Sequence, residues 1–369
     1  MNQKNVLILV NKQTTIIKFR LEVVQALVNE GYKVYVSVPE GDRLDEIRDT
    51  GAEVIVTPMD KESTDPIKDL KLFNTYRRLI KETKADVVLT YTIKPNVYGG
   101  LAATTKGIPY VANITGLGKA LENGGVIQKI SLILYRFGFS RVSKVFFQNE
   151  SNKDFFKQKG LLKFDHEIIP GSGVNLNKFQ AREYPDDKTI EFAFISRIMK
   201  EKGIEEYLEA AEMITRKYPN TVFHVAGFGS EEYEKRMQQL HDEGRIIYHG
   251  LLDNVQGLIT QVHCVVHPTF YPEGMSNILL ESAASCRPII TTDRPGSREA
   301  VDDGENGYLI EAQNSNDLIE KIEKFLNLTH EQKAEMGTKG REKMQREFDR
   351  NIIVNKYLTV VNQLAKLRR

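Results

Sequence analysis

A length of 369 residues makes two domains the default, because a single hydrophobic core stops growing below that size. The composition, with 41% hydrophobic and 27% charged residues, excludes a low-complexity chain, and two cysteines exclude a disulfide framework. The net charge of +1 hides an asymmetry, since residues 1–180 carry 26 Lys and Arg against 19 Asp and Glu, and the remainder carries 25 against 31. The first half is therefore expected to face something anionic, and chance variation of surface charge is the alternative explanation.

Neither a leader peptide nor a membrane-spanning segment is expected. The first residues run into an apolar strand without the long apolar core and cleavage site of a signal peptide. No apolar run approaches the roughly 20 residues that a spanning helix needs. We therefore expect a cytoplasmic protein.

Short apolar strands alternate with longer amphipathic helices along the first half, which is typical of a parallel sheet covered on both faces. The predicted strands are Asn5–Val10, Lys33–Val38, Glu53–Thr57, Ala85–Thr90, Pro109–Asn113, Lys144–Gln148 and Glu167–Ile169. Helices are predicted between them, among them Thr15–Glu30 and Val126–Arg141. The polar stretch Gln180–Lys188 then indicates an interdomain linker.

The same alternation restarts after the linker and predicts a second parallel sheet. Its strands are Ile190–Ile195, Thr221–Ala226, Ile246–Tyr248, Cys264–His267 and Pro288–Thr292, and its helices include Ile204–Tyr218, Glu231–Glu243 and Asn277–Ser285. Successive helices are predicted from Asn316 onward. We thus predict an α/β protein with domains at 1–180 and 181–350 and a C-terminal helix, 351–369, packing back on the first domain. Ligands of such sheets bind at the carboxyl ends of the strands.

The most informative stretch comes after the predicted strand that ends at His267. A proline-bounded loop carries Glu273 and Gly274, a helix begins near Asn277, and Glu281 lies early in that helix. Spare backbone N–H groups at a helix start can hold a phosphate or sugar oxygen, and the two carboxylates can accept bonds from sugar hydroxyls. The alternative is a solvated loop acid and a helix-start acid favoured by the macrodipole. The setting at the end of a strand favours a binding site.

Positive charge is expected from a second loop. Arg197 and Lys202 come after the predicted strand that ends at Ile195. The alternative interpretation is that both are exposed loop charges without a binding role. A diphosphate leaving group needs Lys, Arg or a metal to neutralise its charge. No Asp-x-Asp pair occurs in a suitable setting, so no metal is proposed. His267 is expected to be a satisfied core or rim histidine.

These features resemble the retaining family-4 glycosyltransferases of the GT-B fold over essentially the whole chain. In that fold two Rossmann-like domains face each other across a cleft. The matching segments are PEGMSNILLE (272–281), SRIMKEKG (196–203), PGSGVN (170–175), VAGFGSE (225–231) and YHGLLDN (248–254). TIKPNVYGG (92–100) and ITGLG (114–118) resemble, in particular, transferases that extend undecaprenyl-diphosphate-linked sugars, such as the bacillosaminyl-acceptor N-acetylgalactosaminyltransferases.

The resemblance implies transfer of a hexose or N-acetylhexosamine from a UDP-sugar to a lipid-linked saccharide, in the assembly of a surface polysaccharide, a capsule or a glycoprotein glycan. No cofactor or nucleic-acid partner is expected. Glu273, Lys202 and Arg197 are the implied catalytic residues. The implied donor-binding residues are Gly274, Met275, Ser276, Asn277, Glu281, Gly229 and Leu251. Retention would result from same-face attack, with a donor phosphate oxygen taking the acceptor's proton. Two departures are Ile93, where relatives carry histidine, and Arg287, which replaces a glycine beyond a helix end.

The acceptor is expected to contact the first domain. The candidate residues are Lys94, Asn113, Thr115, Gly116 and Gly118. The glycine-rich stretch that begins at Gly116 has an equally good explanation as a plain turn.

Val126–Arg141 mixes a wide apolar face with Lys129, Arg136 and Arg141, as helices at a bilayer surface do. Packing on the sheet is the more common explanation of such a helix. The positive first half and the lipid-linked acceptor favour peripheral contact with the inner face of the cytoplasmic membrane.

Two other functions are compatible with this pattern. A nucleotide-sugar epimerase of the same fold would convert a UDP-sugar without an acceptor. A catalytically inactive protein would bind the sugar nucleotide only, and the intact set of acidic and basic residues argues against it.

Overall fold

The computed structural model describes residues 3–60, 65–117, 121 and 124–367. The chain forms two compact units, of which the first comprises residues 1–172 together with 351–369 and the second comprises 173–350. The units therefore divide at Ser172 and not at the predicted position 180. Val174 forms a backbone bridge with Asp349, and Phe179 is buried in a core of the second unit, so this stretch belongs to the second unit.

Seven strands form a parallel sheet in the described part of the first unit, in the order β3-β2-β1-β4-β5-β6-β7. The strands are β1 Asn5–Leu9, β2 Lys33–Val38, β3 Glu53–Val56, β4 Val87–Tyr91, β5 Tyr110–Ile114, β6 Lys144–Phe147 and β7 His166–Ile168. The helices are α1 Gln13–Phe19, α2 Leu21–Asn29, α3 Leu44–Arg48, α4 Pro66–Glu82, α5 Gly100–Lys106, α6 Gly125–Gly138 and α7 Glu150–Gln158, with a π-helical turn, Pro95–Gly99, leading into α5. The central strands are buried on both faces, which explains their continuous apolar character.

The predicted helix Thr15–Glu30 is two helices, α1 and α2. The backbone leaves helical geometry at Arg20, where φ is −140° and ψ is 9°. The Arg20 side chain is buried, and its guanidinium lies 5.5 Å from the ring centroid of Tyr91 and 5.7 Å from that of Tyr357. The helix ends where this side chain turns into the core.

The C-terminal helix, α14 Arg350–Leu367, contributes to the core of the first unit. Ile353, Tyr357 and Val361 are buried there with residues of β1, β2 and β4. The Tyr357 hydroxyl donates a hydrogen bond to Oδ1 of Asn113 on β5. The C-terminal helix thus covers one face of a sheet whose strands lie far from it in sequence.

The second unit contains a six-stranded parallel sheet with the strand order β10-β9-β8-β11-β12-β13. The strands are β8 Ile190–Ile195, β9 Thr221–Ala226, β10 Ile247–Tyr248, β11 Cys264–His267, β12 Ile289–Thr292 and β13 Gly307–Ile310. The helices are α8 Ile204–Lys217, α9 Glu231–Asp242, α10 Val255–Gln261, α11 Asn277–Ala284, α12 Ser315–Leu326 and α13 His330–Glu347. The strand β13 was not predicted, because it is short and begins with a glycine. The neighbouring strands β8 and β11 run parallel, so the loops after them leave the sheet at the same edge.

Candidate active site

An ion pair joins the loops that come after β8 and β11. The Lys202 ammonium contacts Oε1 of Glu273, and the two side chains are only 8% and 18% exposed. Lys202 lies in a short helical turn, Lys200–Lys202, and Glu273 lies in the loop between β11 and α11. The predicted base and acid therefore meet at the carboxyl edge of the second sheet.

Two glycines bring the backbones of this region together. Gly203, directly after Lys202, has a φ of +80°, and a Cβ there would collide with the carbonyl oxygen of Pro268. Gly296, in the loop after β12, has a φ of +90°, and a Cβ there would collide with the Glu273 backbone. Any larger residue at either position would separate the loops that carry the ion pair.

The Tyr271 ring lies against both predicted cations. The guanidinium carbon of Arg197 lies 5.2 Å from the ring centroid, and Nζ of Lys202 lies 4.9 Å from it. Arg197 is exposed, whereas Lys202 is buried. The electron-rich face of the ring attracts both charges and so helps to gather them at one place.

The electrostatics keep the Glu273 carboxyl ionised. Burial alone would raise its pKa, but nearby His267 and the charge of Lys202 outweigh burial and lower the pKa to about 2. Burial lowers the pKa of His267, which favours a neutral ring at neutral pH. A buried anion therefore lies beside a cation and an uncharged imidazole.

The sequence predicts that His267 is a core or rim histidine whose ring nitrogens are hydrogen-bonded, and the structure contradicts this. Its Nε2 lies 3.9 Å from Oε1 of Glu273, beyond hydrogen-bond distance, and neither ring nitrogen has a hydrogen-bond partner among the described residues. The side chain is 1% exposed. A buried ring with two unpaired nitrogens beside an ion pair is unusual outside a functional site.

The start of α11 supplies fewer ligand groups than predicted. The Ser276 N–H donates to the carbonyl oxygen of Gly296 at 2.7 Å, so this amide, which was predicted to hold the donor, already has an acceptor. The Met275 side chain is 5% exposed and packs in the core, so a donor could contact this residue only through its backbone. Gly274 is buried in the same loop. Asn277 keeps a buried Oδ1 that has no hydrogen-bond partner in the described part of the chain.

Glu281 lies on α11, one turn beyond its first residue, and is partly buried. Its backbone carbonyl accepts the hydroxyl of Ser285, as is usual within a helix. Glu273 and Glu281 thus belong to one loop-helix segment, as predicted from their spacing.

The loops that carry the predicted donor-binding residues Gly229 and Leu251 come after β9 and β10. The Gly227 N–H donates to the Gly250 carbonyl at 2.8 Å, which joins the two loops. The Gly229 N–H donates to a carboxylate oxygen of Glu234 at 3.2 Å, so this amide already has an acceptor. Leu251 is 69% exposed. The joined loops therefore present an apolar side chain to solvent beside a glycine-rich turn.

In the first unit, the Lys94 ammonium already contacts oxygen atoms of the protein. Its ammonium lies 2.7 Å from Oδ1 of Asp69 and 2.9 Å from the Asp60 carbonyl oxygen, and the Asp69 carboxylate also accepts the hydroxyl of Tyr98. The predicted acceptor role would require the lysine to share its charge with Asp69.

The prediction that Asn113 lines a ligand-facing surface is wrong. Asn113 is 1% exposed, its Nδ2 donates to the Thr90 carbonyl, and its Oδ1 accepts from Tyr357. Thr115 and Gly116, directly after β5, are partly buried at the carboxyl edge of the sheet. Gly118 lies outside the described residues.

Tyr271 and Gly296 were not predicted from the sequence. The available signal for the first was a tyrosine a few residues after a strand end, in the same loop as Glu273 and Gly274. For the second, the signal was a Pro-Gly pair shortly after the predicted strand that ends at Thr292. Within the described ranges, no group of three or more His, Cys, Asp and Glu side chains is placed to hold a metal ion.

Two family models match the chain, one in each unit. Residues 5–149 match Glycosyl transferase 4-like, and residues 177–343 match Glycosyl transferases group 1. The second match contains Arg197, Lys202, Glu273 and Glu281.

Relatives match over nearly the full length. The Campylobacter jejuni N,N'-diacetylbacillosaminyl-diphospho-undecaprenol alpha-1,3-N-acetylgalactosaminyltransferase is 27% identical over 95% of this chain and 96% of its own. The Escherichia coli UDP-Gal:alpha-D-GlcNAc-diphosphoundecaprenol alpha-1,3-galactosyltransferase is 23% identical over 94% and 91%.

Solved structures match the architecture. Anabaena HepE in complex with UDP superposes with a TM-score of 0.80 at 17% identity, over 98% of this chain and 100% of that one. The crystal structure of TarM gives a TM-score of 0.77 at 14% identity, over 98% and 99%. These likenesses support the predicted GT-B fold. Residues 5–149 thus match the family Glycosyl transferase 4-like, and residues 177–343 match the family Glycosyl transferases group 1. With both units matched in this way, the chain is a glycosyltransferase of the GT-B fold.

Proposed function

We propose that this glycosyltransferase moves a hexose or N-acetylhexosamine from a UDP-sugar to an undecaprenyl-diphosphate-linked saccharide, with retention of anomeric configuration and without a metal ion. The observation that carries the proposal is the buried Lys202–Glu273 pair beside Arg197 at the carboxyl edge of the second sheet. Two cations and an ionised acid in one place suit a donor with a diphosphate next to a sugar.

The cations act on the leaving group. As the glycosidic bond breaks, negative charge grows on the diphosphate, and Lys202 and Arg197 stabilise that charge in place of a metal. Because Lys202 is already held by Glu273 and Tyr271, little reorganisation is needed when the charge develops.

Glu273 orients the transferred sugar by accepting hydrogen bonds from its hydroxyls, and Glu281 holds the ribose. The low pKa of Glu273 makes it a hydrogen-bond acceptor and a poor general acid. The acceptor hydroxyl attacks from the face that the leaving group vacates, and a phosphate oxygen of the donor takes its proton. This route requires no covalent intermediate on the protein.

The substrates are inferred from the relatives. The names of the C. jejuni and E. coli enzymes specify undecaprenol-linked diphosphate acceptors, and the E. coli name specifies a UDP-sugar. Such an acceptor requires peripheral contact with the cytoplasmic membrane. None of the helices in the described part of the chain has both the length and the apolar character needed to cross a membrane.

The test is donor binding and transfer by the full chain. Thermal unfolding is followed with UDP-glucose, UDP-N-acetylglucosamine, UDP-N-acetylgalactosamine and a GDP-sugar, with and without EDTA. One UDP-sugar should raise the melting temperature, and the GDP-sugar should not. Transfer to an undecaprenyl-diphosphate-linked saccharide should survive EDTA and give an α-linked product by NMR. An inverted product or loss of activity in EDTA would refute the corresponding part of the proposal.

A matched pair of variants tests the site. Lys202→Ala should lower turnover by roughly 100-fold or more, because it removes a cation that acts on the developing charge. Lys200→Ala removes an exposed lysine from the same turn and should leave turnover near the wild-type value. Equal effects of the two variants would contradict the assigned role of Lys202.

A further inference from the structure

One helix of the first unit exposes a row of large apolar side chains. On α6, Val126, Ile130, Ile133 and Phe137 are 71%, 53%, 55% and 59% exposed. Spacings of four, three and four residues place them on one face of the helix. A soluble helix packed on a sheet normally turns such a face inward, and α6 already buries its other face.

The buried face explains why the exposed row is not needed for folding. Ser131, Tyr135 and Gly138 lie on the opposite side of α6 and are buried. The Tyr135 ring packs edge-on against Phe139 and Phe156, with ring centroids 5.1 and 5.3 Å away. The buried face of α6 thus packs into the first unit without the exposed row.

The same helix is flanked by positive charge. Lys129 and Arg136 are exposed beside the apolar row, and Arg141 is exposed just beyond the helix end. The sequence contains no acidic residue between Glu122 and Glu150. The first unit as a whole carries 29 Lys and Arg against 19 Asp and Glu, a net charge of +10, while the second unit carries 22 against 31, or −9.

We propose that the exposed face of α6 docks on an anionic lipid surface, with its apolar row at the level of the acyl chains and Lys129 and Arg136 among the headgroups. A cationic helix with one apolar face is the pattern of a helix lying in the membrane interface. A second copy of the chain is a poorer occupant, because a two-fold contact through this face would bring the same cations together. The inference rests on the proposed lipid-linked acceptor, whose diphosphate lies at that surface.

The experiment is sedimentation of the full chain with vesicles. Binding is measured to vesicles of phosphatidylcholine with phosphatidylglycerol and to vesicles of phosphatidylcholine alone. The wild type should bind the anionic vesicles more tightly, and added salt should weaken that binding. Ile130→Gln/Ile133→Gln should lower the partition coefficient by roughly tenfold or more, and Lys129→Gln/Arg136→Gln should lower it on anionic vesicles only.

A matched double variant tests the assignment to α6. Ile67 and Leu70 on α4 of the same unit are 79% and 60% exposed, and acidic Asp65 and Asp69 accompany them. Ile67→Gln/Leu70→Gln should leave vesicle binding unchanged. An equal loss in this control would overturn the assignment, as would a wild-type dimer that Ile130→Gln/Ile133→Gln separates without any vesicle binding.

Donor binding separates this inference from the proposed function. A wild type that is stabilised by a UDP-sugar but does not sediment with anionic vesicles would overturn the docking surface and leave the proposed function standing. Vesicle binding that depends on α6 without any stabilisation by a sugar nucleotide would support the docking surface and count against the proposed function.

Discussion

Lys202 and Glu273 are 71 residues apart in sequence and form an ion pair that is almost wholly buried. Each belongs to a loop at the end of one of two adjacent parallel strands. A buried pair of this kind contributes little when intact, but loss of one partner leaves an uncompensated charge. Stability and activity should therefore respond differently to substitutions here.

Glu273→Gln should lower the free energy of unfolding at neutral pH by about 3 kcal/mol, because Lys202 loses its carboxylate while remaining buried. The double variant Glu273→Gln/Lys202→Met should recover much of that stability and none of the transferase activity. Urea denaturation and turnover of the wild type, both single variants and the double variant complete the cycle. Recovered activity in the double variant would mean that the pair is structural only.

The same pair predicts a stability change in acid. The pKa of Glu273 is lowered from 4.5 in the unfolded chain to about 2, so its contribution is complete above pH 4.5 and is lost as the pH falls toward 2. Unfolding of the wild type between pH 4.5 and 2 should be steeper in pH than unfolding of Glu273→Gln. Parallel curves would show that the carboxylate is not stabilised in the folded protein.

Tyr271 provides a prediction about donor binding. Tyr271→Leu removes the ring that lies against Arg197 and Lys202, and should raise the KM for the donor by roughly 5- to 10-fold, as expected for about 1 kcal/mol of cation–π attraction. Tyr271→Phe keeps the ring face and should stay close to the wild type. Steady-state kinetics with varied donor separates KM from kcat, and similar losses in both variants would point to the hydroxyl instead.

The sequence predicts the strands and the main residues of the site better than it predicts their contacts. Buried parallel strands are continuous apolar runs, so Ile190–Ile195 and Cys264–His267 were predicted with the bounds that the structure has. The carboxyl ends of neighbouring strands must meet, and this fixes the proximity of Lys202 and Glu273. No local pattern shows that the Gly296 carbonyl oxygen accepts a hydrogen bond from the Ser276 N–H, because that bond joins loops that come after different strands. The ion pair between Asp69 and Lys94 likewise cannot be predicted from a local pattern, because the two residues are distant in sequence.

Arg287 shows how a local prediction can underestimate a residue. In the sequence, Arg287 is distinguished only as an arginine that replaces a glycine beyond a helix end. The guanidinium is fully buried and donates to carbonyl oxygens near the ends of two helices and in the segment before β8. Its acceptors are the carbonyls of Ile259, Thr260, Ser285, Cys286, Arg182 and Glu183.

Arg287→Lys should lower the free energy of unfolding by about 3 kcal/mol, because one ammonium cannot reach acceptors on three segments and the remaining carbonyls stay buried without donors. Arg298→Lys is the matched control, since Arg298 is 44% exposed and pairs with Asp293 at 3.0 Å, and should change stability by less than about 0.5 kcal/mol. Urea denaturation of both variants provides the comparison. A stable Arg287→Lys protein would show that water or backbone movement satisfies the acceptors.

A histidine pair in the second unit predicts a stability change between pH 6.5 and 4. His224 Nδ1 lies 2.9 Å from Nε2 of His249, and His224 Nε2 lies 2.9 Å from a carboxylate oxygen of Glu191. Burial lowers the pKa of His224 to about 4 and also lowers the pKa of His249, while burial raises the pKa of Glu191. The unfolded chain therefore binds protons on these histidines at a higher pH than the folded chain does.

Because the folded pKa of His224 lies below the unfolded value of 6.5, its contribution is complete above pH 6.5 and is lost as the pH falls toward 4. The loss from His224 alone should be about 3 kcal/mol, at roughly 1.4 kcal/mol for each pH unit in that window, and the raised pKa of Glu191 should offset part of it. His224→Gln should flatten the dependence of unfolding free energy on pH between 6.5 and 4. His241→Gln, at an exposed histidine of the same unit, should leave that slope unchanged, and an equal effect of both variants would mean that burial of His224 is not the cause.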